Sequence, residues 1–242
     1  METSEAQVGF KPLYSQVREE ILRRLADGMW QPGAVLPSEQ ELARTLGVSQ
    51  GTVRKSLDAL TSEGILVRRQ GRGTFVAEFE ESRILFQFFR LAPDVGERYF
   101  PNSKVLDRSS GIATPVERVA LALGPGAKVW RIERVRYFDK DPILTETISL
   151  PLARFPKLGQ LKDIPNNVYQ LYSREYGISI ARSSERIKAV GANAHDAREL
   201  GCPEGTPLLL IARTAFDFSD VPVEFRQSHC LTDKIHYASD LR

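Results

Sequence analysis

The chain has 242 residues, 42% apolar and 26% charged, enough to bury real cores and, by length, better suited to two domains than to one. A formal charge of +2 neither demands nor excludes nucleic acid, so the question passes to where the basic residues lie. Two cysteines argue against a disulfide framework, METSEAQVG has no signal-peptide pattern and no apolar run approaches the ~18 residues of a membrane span.

The expectation is a soluble, intracellular chain whose residues 1–9 form a disordered leader. Pro12 is placed to start a helix running to about Gly28, with Leu13, Val17, Ile21, Leu22 and Leu25 as its apolar stripe and Arg18, Arg23 and Arg24 on the wet side. Trp30–Gly33 reads as a turn. Ser38 and Glu41 form a capping box for a short helix carrying Leu42, Ala43 and Leu46, and Gly47 ends it. Ser49 then caps a second helix whose stripe is Val53, Leu57 and Leu60, closed by Gly64. Two β-prone runs follow, 65–69 and 74–76, joined across Gln70–Gly73.

Helix, tight turn, helix, hairpin is the layout of a winged helix-turn-helix, in which the second helix enters the major groove and the hairpin touches backbone or minor groove. Two packed helices without a ligand would show the same spacing. The hairpin tilts the choice: from Ser49 to Ala77 there are five basic residues (Arg54, Lys55, Arg68, Arg69, Arg72) against Asp58 and Glu63. Ser49, Gln50, Thr52 and Arg54 stand at the start of the second helix, where side chains and free N–H groups meet phosphates and base edges.

Segment 77–82 (AEFEES) is an acidic, polar linker or hinge, giving domains at 10–77 and 84–242 with 78–83 between them. Beyond it, Ile84–Leu91 is strongly apolar, and a strand is expected at Lys104–Leu106 with a helix from Pro115 to Leu121. Val129–Phe138 and Ile143–Leu150 form a hairpin across Asp139–Pro142. A helix from Asn167 to Tyr176 ends at Gly177. Ile178–Ala192 reads as a long alternating strand, His195–Leu200 as a helix capped at Asn193 or Ala194, and 207–218 with 221–231 as a second hairpin. The whole is an α+β chain whose C-terminal domain is built on an antiparallel sheet.

Arg134 and Arg136 share a face of their strand, flanked there by Ile132 and Phe138, which suits a small anionic ligand. Glu146 should lie across the hairpin, either in a cross-strand salt bridge or facing the ligand. His195, His229 and His236 show no metal-ligand spacing, Cys202 beside Pro203 reads as a turn residue, and Gly71–Arg72–Gly73 precedes no helix and so is no P-loop. No cofactor is expected.

The first part of the chain closely resembles the DNA-binding domain of the GntR family of bacterial transcription regulators. The matching residues are Pro12-Leu13-Tyr14, Leu36-Pro37-Ser38-Glu39, Leu42-Ala43, Gly47-Val48-Ser49, Thr52-Val53-Arg54, Leu60, Glu63-Gly64 and Gly71-Arg72-Gly73-Thr74-Phe75-Val76. The remainder resembles the UTRA effector domain of the HutC-type branch, with a chorismate-lyase-like fold. Here the matches are Arg134-Val135-Arg136, Pro142, Glu146, Leu150-Pro151, Phe155-Pro156, Tyr176-Gly177, Glu185 with Ile187, Pro207-Leu208-Leu209, Arg213 and Pro222-Val223-Glu224. The resemblance implies a ligand-responsive regulator that is not an enzyme. It would be a repressor of a catabolic or transport operon, a cytoplasmic, nucleoid-associated homodimer released from an inverted-repeat operator by a carboxylate or phosphorylated metabolite. A chorismate-lyase-like enzyme tethered to DNA is the competing reading. DNA contacts would come from Ser38, Gln40, Ser49, Gln50, Thr52, Arg54, Arg68, Arg69, Gln70, Gly71, Arg72 and Gly73. Many relatives carry arginine in place of Gln40 and Gln50, so the operator should differ from theirs. Effector contacts would come from Arg134, Arg136, Glu146, Tyr169 and Glu224, with Asn167 at a position that some phosphosugar-responsive relatives use.

Overall fold

The computed structural model describes residues 12–62, 64–77 and 89–239, in two compact units, Met1–Glu78 and Phe79–Arg242. The expected leader, the linker, most of the apolar run from Ile84 and Glu63 lie outside the described residues.

In the first unit, α1 (Leu13–Ala26) starts directly after Pro12, whose ring presets φ near the helical value. Its Val17, Ile21, Leu22 and Leu25 are buried, whereas Leu13 is 59% exposed: at the first helical position it points away from the stripe. Arg23 and Arg24 are not idle on the wet side, since both donate to Glu20, Arg24 at 2.7 Å. In α2 (Glu39–Leu46) the Ser38 hydroxyl accepts the Glu41 N–H at 3.2 Å while the Glu41 carboxylate accepts the Ser38 N–H at 2.9 Å. Gly47, at φ +66°, takes the left-handed conformation that lets the chain turn at once into the next helix. Replacing Ser38 with alanine should therefore cost about 1 kcal/mol of stability in thermal or urea unfolding.

The next helix, α3 (Gln50–Ser62), buries Val53, Leu57 and Leu60, each contributing about 1.5–3 kcal/mol against exposure. Ser56, also buried, donates its hydroxyl to the Tyr14 carbonyl at 2.7 Å and ties α3 to α1. The wing is β1 (Leu66–Arg69) against β2 (Gly73–Val76), in register Leu66↔Val76 to Arg69↔Gly73. A third edge was not anticipated: Leu36 N–H donates to the Thr74 carbonyl and Val76 N–H to that of Ala34, both at 2.8 Å. Segment 34–36 is too short to show alternation, so only the hydrogen bonds reveal it.

The second unit is a six-stranded antiparallel sheet in the order β4-β5-β6-β9-β8-β7. Its strands are β4 (Asn102–Ile112), β5 (Lys128–Phe138), β6 (Asp141–Pro151), β7 (Arg182–Gly191), β8 (Pro207–Phe216) and β9 (Pro222–Cys230), with a separate short pair of β3 (Leu91–Pro93) and β10 (Ile235–Tyr237). On one face lies α5 (Val168–Tyr176), whose Val168, Leu171 and Tyr172 pack with Ile132, Ile148, Leu150 and Phe155. Asn167 caps it by accepting the Gln170 N–H, and Gly177 closes it. The other face carries α4 (Pro115–Ala120) and α6 (Ala194–Leu200). There Glu117 receives Arg131 and Ser149, and Asp196 receives Thr145 at 2.7 Å and lies 2.9 Å from His229.

Three expectations need correction. The strand expected at Lys104–Leu106 is eleven residues long; as a sheet edge it is polar on both faces and leaves little apolar pattern to read. The alternation from Ile178 covers two different things: Ile178 and Ile180 enter the core before the strand begins, while Ile187 within edge strand β7 is 44% exposed. The first hairpin turns on Asp139 and Lys140 alone, with Asp139 at φ +51°; Pro142 belongs to β6, beside a register shift.

Candidate functional site

The first unit presents one exposed polar face. Ser38, Gln40, Ser49, Gln50 and Arg54 are exposed, as is the wing tip from Arg68 to Gly73, while Thr52 is half-buried. Ser49 accepts the Thr52 N–H at 3.2 Å and so fixes the first turn of α3. Gly71, at φ +68°, makes the tight turn that places Arg72 at the tip.

Glu39 gathers this face. Its carboxylate accepts Gln50 at 3.3 Å, Arg54 at 3.0 Å and Arg68 at 3.3 Å, so α2, α3 and β1 meet on one group. Arg54 is first among the causes that hold Glu39 below the ordinary carboxylate range. Arg68 also pairs with Asp58 at 2.7 Å, and Arg69 stacks over the Phe75 ring at 4.8 Å. The role of Glu39 was not visible in the sequence, where it stood only as part of the capping run.

In the second unit, the α5 face of the sheet holds a buried ionic cluster. Arg134 pairs directly opposite Glu146 in the β5–β6 register and donates to it. Arg136 donates to the same carboxylate at 2.8 Å, and Arg226 approaches its other oxygen at 3.3 Å. Arg226 also makes a two-point contact to Glu224 at 2.9 and 2.8 Å. Glu224 in turn accepts Tyr169 at 3.2 Å and Tyr172 at 2.7 Å. Further along, Arg213 donates to Glu185 at 2.6 Å, and Tyr237 donates to the same residue.

The electrostatics follow from burial and pairing. Burial works to raise Glu146, but Arg134, Arg226 and Arg136 hold it well below the usual range. Burial and then Glu224 push Tyr169 up to about 12. Burial, with Arg134 alongside, pulls Arg136 down to about 9. The ring of Phe100, 4.7 Å away, and the carbonyls of Pro101 and Asn166 serve Arg136 beside its one contact to Glu146.

Among the described residues, four buried arginines (Arg134, Arg136, Arg213, Arg226) face three glutamates (Glu146, Glu185, Glu224) here, an excess of positive charge. Two donors of the cluster, Arg134 Nη2 and Asn167 Nδ2, have no partner among the described residues. Two cavities of about 10 and 20 Å³, each room for about one water, open onto the cluster, so a larger ligand enters only if lining side chains such as Phe89 and Phe100 move. Arg136, Asn167, Tyr169, Arg213 and Arg226 line the first, Arg90 and Glu146 the second. Arg134 lines neither. The fold thus brings together all six residues singled out as effector contacts and adds Asn166, Arg213, Arg226 and Ser228. The signal for two of these was present in the alternation Glu224, Arg226, Ser228 along one strand.

The histidines stay apart: His229 faces Asp196 and His236 pairs with Asp94 at 2.8 Å. Among the described residues no group of three or more metal-ligating side chains occurs, and no helix is long and apolar enough to cross a membrane. Cys230 is buried, which pushes its thiol pKa up and makes it a poor nucleophile.

Comparison with known proteins gives a consistent result. Residues 13–76 match the family described as bacterial regulatory proteins, gntR family, and residues 97–236 match the UTRA domain. The "Probable fructoselysine utilization operon transcriptional repressor" of Escherichia coli is 30% identical over 94% of both chains. The transcriptional repressor NagR of Bacillus subtilis is 31% identical over 95% of this chain and 96% of its own. Among solved structures, PhnF from Mycobacterium smegmatis is 28% identical with a TM-score of 0.56, covering 93% of this chain and 99% of that one.

Proposed function

The chain belongs to the bacterial GntR family, in the HutC-type branch that carries a UTRA domain, and from that premise we propose that it represses a catabolic or transport operon until a small anionic metabolite binds its buried arginine cluster. Members of this family are DNA-binding transcriptional regulators that answer to a small-molecule effector, not enzymes, and this chain is one of them. The observation that carries the anionic class is the excess of buried guanidinium charge, beside the cavity-lining Asn167, whose Nδ2 has no partner among the described residues. A carboxylate or phosphate would offset that charge and accept from Asn167, whereas a neutral ligand would leave the excess standing. Thermal-shift screening with organic acids, phosphonates and sugar phosphates tests this; the reading fails if only neutral or cationic compounds stabilise the chain.

Residues 10–77 act as the reading module and 84–242 as the sensor, in a cytoplasmic homodimer. One winged helix touches too little DNA for genomic specificity, and two half-sites on a two-fold axis solve that. Gln50, Thr52 and Arg54 read the major groove while Arg68, Arg69 and Arg72 engage the backbone and minor groove beside it. Arg54→Ala should weaken operator binding tenfold or more in a mobility-shift assay, the loss expected of a two-point base contact worth about 1–3 kcal/mol. Arg72→Ala should lower affinity for all sequences alike and reduce the salt slope by about 1. Unchanged affinity at moderate salt in both variants would remove this face from the interface.

A further inference from the structure

A wide opening in the second unit lies away from the arginine cluster. It is a cavity of about 760 Å³ at the hairpin turn of Asp139–Lys140, within the range of about 300–1,000 Å³ typical of small-ligand sites. Four separate parts of the chain build it: the loop after β3, the β5–β6 turn, the end of α6 and the segment leading into β10. Its floor is apolar and well ordered by packing, with Phe138, Ile143, Leu200 and Ile235 all buried. Tyr99 and Phe138 stand on one wall with ring centroids 4.8 Å apart.

The rim has the opposite sign to the effector cluster. Asp94, Glu97, Asp139, Asp141 and Asp233 line it against one lysine, Lys234. Lys234 is already spent on Asp141 at 2.8 Å, and Asp94 is paired with His236. Asp139 adjoins Tyr99 and helps to raise its hydroxyl pKa, with burial the larger cause. A chamber with an apolar floor, two aromatic rings and a carboxylate rim complements a cation with an apolar body.

We propose that this cavity is a second small-molecule site, for an organic ammonium ion, distinct in ligand class from the arginine cluster. The apolar part of the ligand covers Ile143, Leu200 and Ile235, the rings of Tyr99 and Phe138 face the ammonium, and Asp139 with Asp233 supply the charge. Phe138 packs in one cluster with Phe89, whose ring lies 5.7 Å from the Arg136 guanidinium, so the two sites share a wall of side chains.

Calorimetric titration of the full chain with benzyltrimethylammonium, phenylacetate and benzyl alcohol tests the assignment. The cation should saturate at concentrations up to about 10 mM and bind about tenfold more tightly than the anionic and neutral probes, less so at high salt. The double variant Asp139→Asn, Asp233→Asn should weaken it by about tenfold with an unchanged melting temperature, because asparagine tolerates the positive φ at position 139. Equal binding of the three probes, no saturation, or indifference to the double variant would each overturn the proposal. So would a dimer whose cross-links run through Lys234 and which excludes the probe, since the cavity would then belong to a second copy of the chain.

Discussion

Arg136→Ala is expected to hold the operator with unchanged affinity and to remain bound when effector is added. Arg136 lines the cavity of the cluster, and among the described residues Glu146 is its carboxylate partner. An anion supplies what Glu146, shared with Arg134 and Arg226, leaves unsatisfied. Removing the side chain should cost effector binding about 3 kcal/mol, roughly a hundredfold, as for other truncations of a buried charge pair. Stability should fall too, because the side chain is fully buried, so the binding loss is read on chain shown to be folded. Arg134→Ala, at a residue that lines neither cavity, should give a smaller loss through the freed Glu146. The measurement is an effector titration of the preformed DNA complex, with direct binding of effector to the free chain alongside. A fully inducible Arg136→Ala chain would move the effector elsewhere.

Much of this architecture was legible because the elements carry their own ends. Capping boxes at Ser38 and Asn193 and the glycines closing α2 and α5 mark boundaries that local hydrogen bonding enforces. The first hairpin of the sheet was equally clear, since β5 and β6 are rich in β-branched and aromatic residues on either side of a short polar turn. The edges were legible only in part: β7 fell inside the strand expected from Ile178 to Ala192, but its start was placed early, and only three residues of β4 were read, because edge strands that face solvent carry little apolar pattern. The pairing of β3 with β10 joins residues about 140 positions apart in three-residue pieces, below the length at which any period shows.

The cluster divides along the same line. Arg134 and Arg136 were found by their spacing on one strand, and Glu146 by the hairpin register opposite them. Arg226 shares the Glu224 face of its strand, but its arrival beside Glu146, like that of Arg213 beside Tyr169, depends on the strand order of the sheet and could not be read from spacing. Glu39 escaped notice for the same reason: its partners are 11, 15 and 29 residues away, on a second helix and a strand.

Glu224→Ala should be the most destabilising single change in the second unit. The side chain is fully buried and anchors four donor groups, two from Arg226 and one each from Tyr169 and Tyr172. Truncation takes from the buried Arg226 its two-point partner, leaving the 3.3 Å contact to Glu146, and removes the carboxylate to which Tyr169 and Tyr172 both donate. The expected cost is about 3–5 kcal/mol, seen as a fall of roughly 10 °C in the melting transition of this unit. Glu224→Gln keeps the shape and one acceptor and should recover part of it. The double variant Glu224→Leu, Arg226→Met removes both charges and should recover most of the stability, since a buried ion pair gains little over an apolar pair of like volume. That double variant should still fail to respond to effector, because a cavity-lining cation is gone. A stable Glu224→Ala chain would show that this side chain does not hold the cluster together; a responsive double variant would show that Arg226 takes no part in sensing.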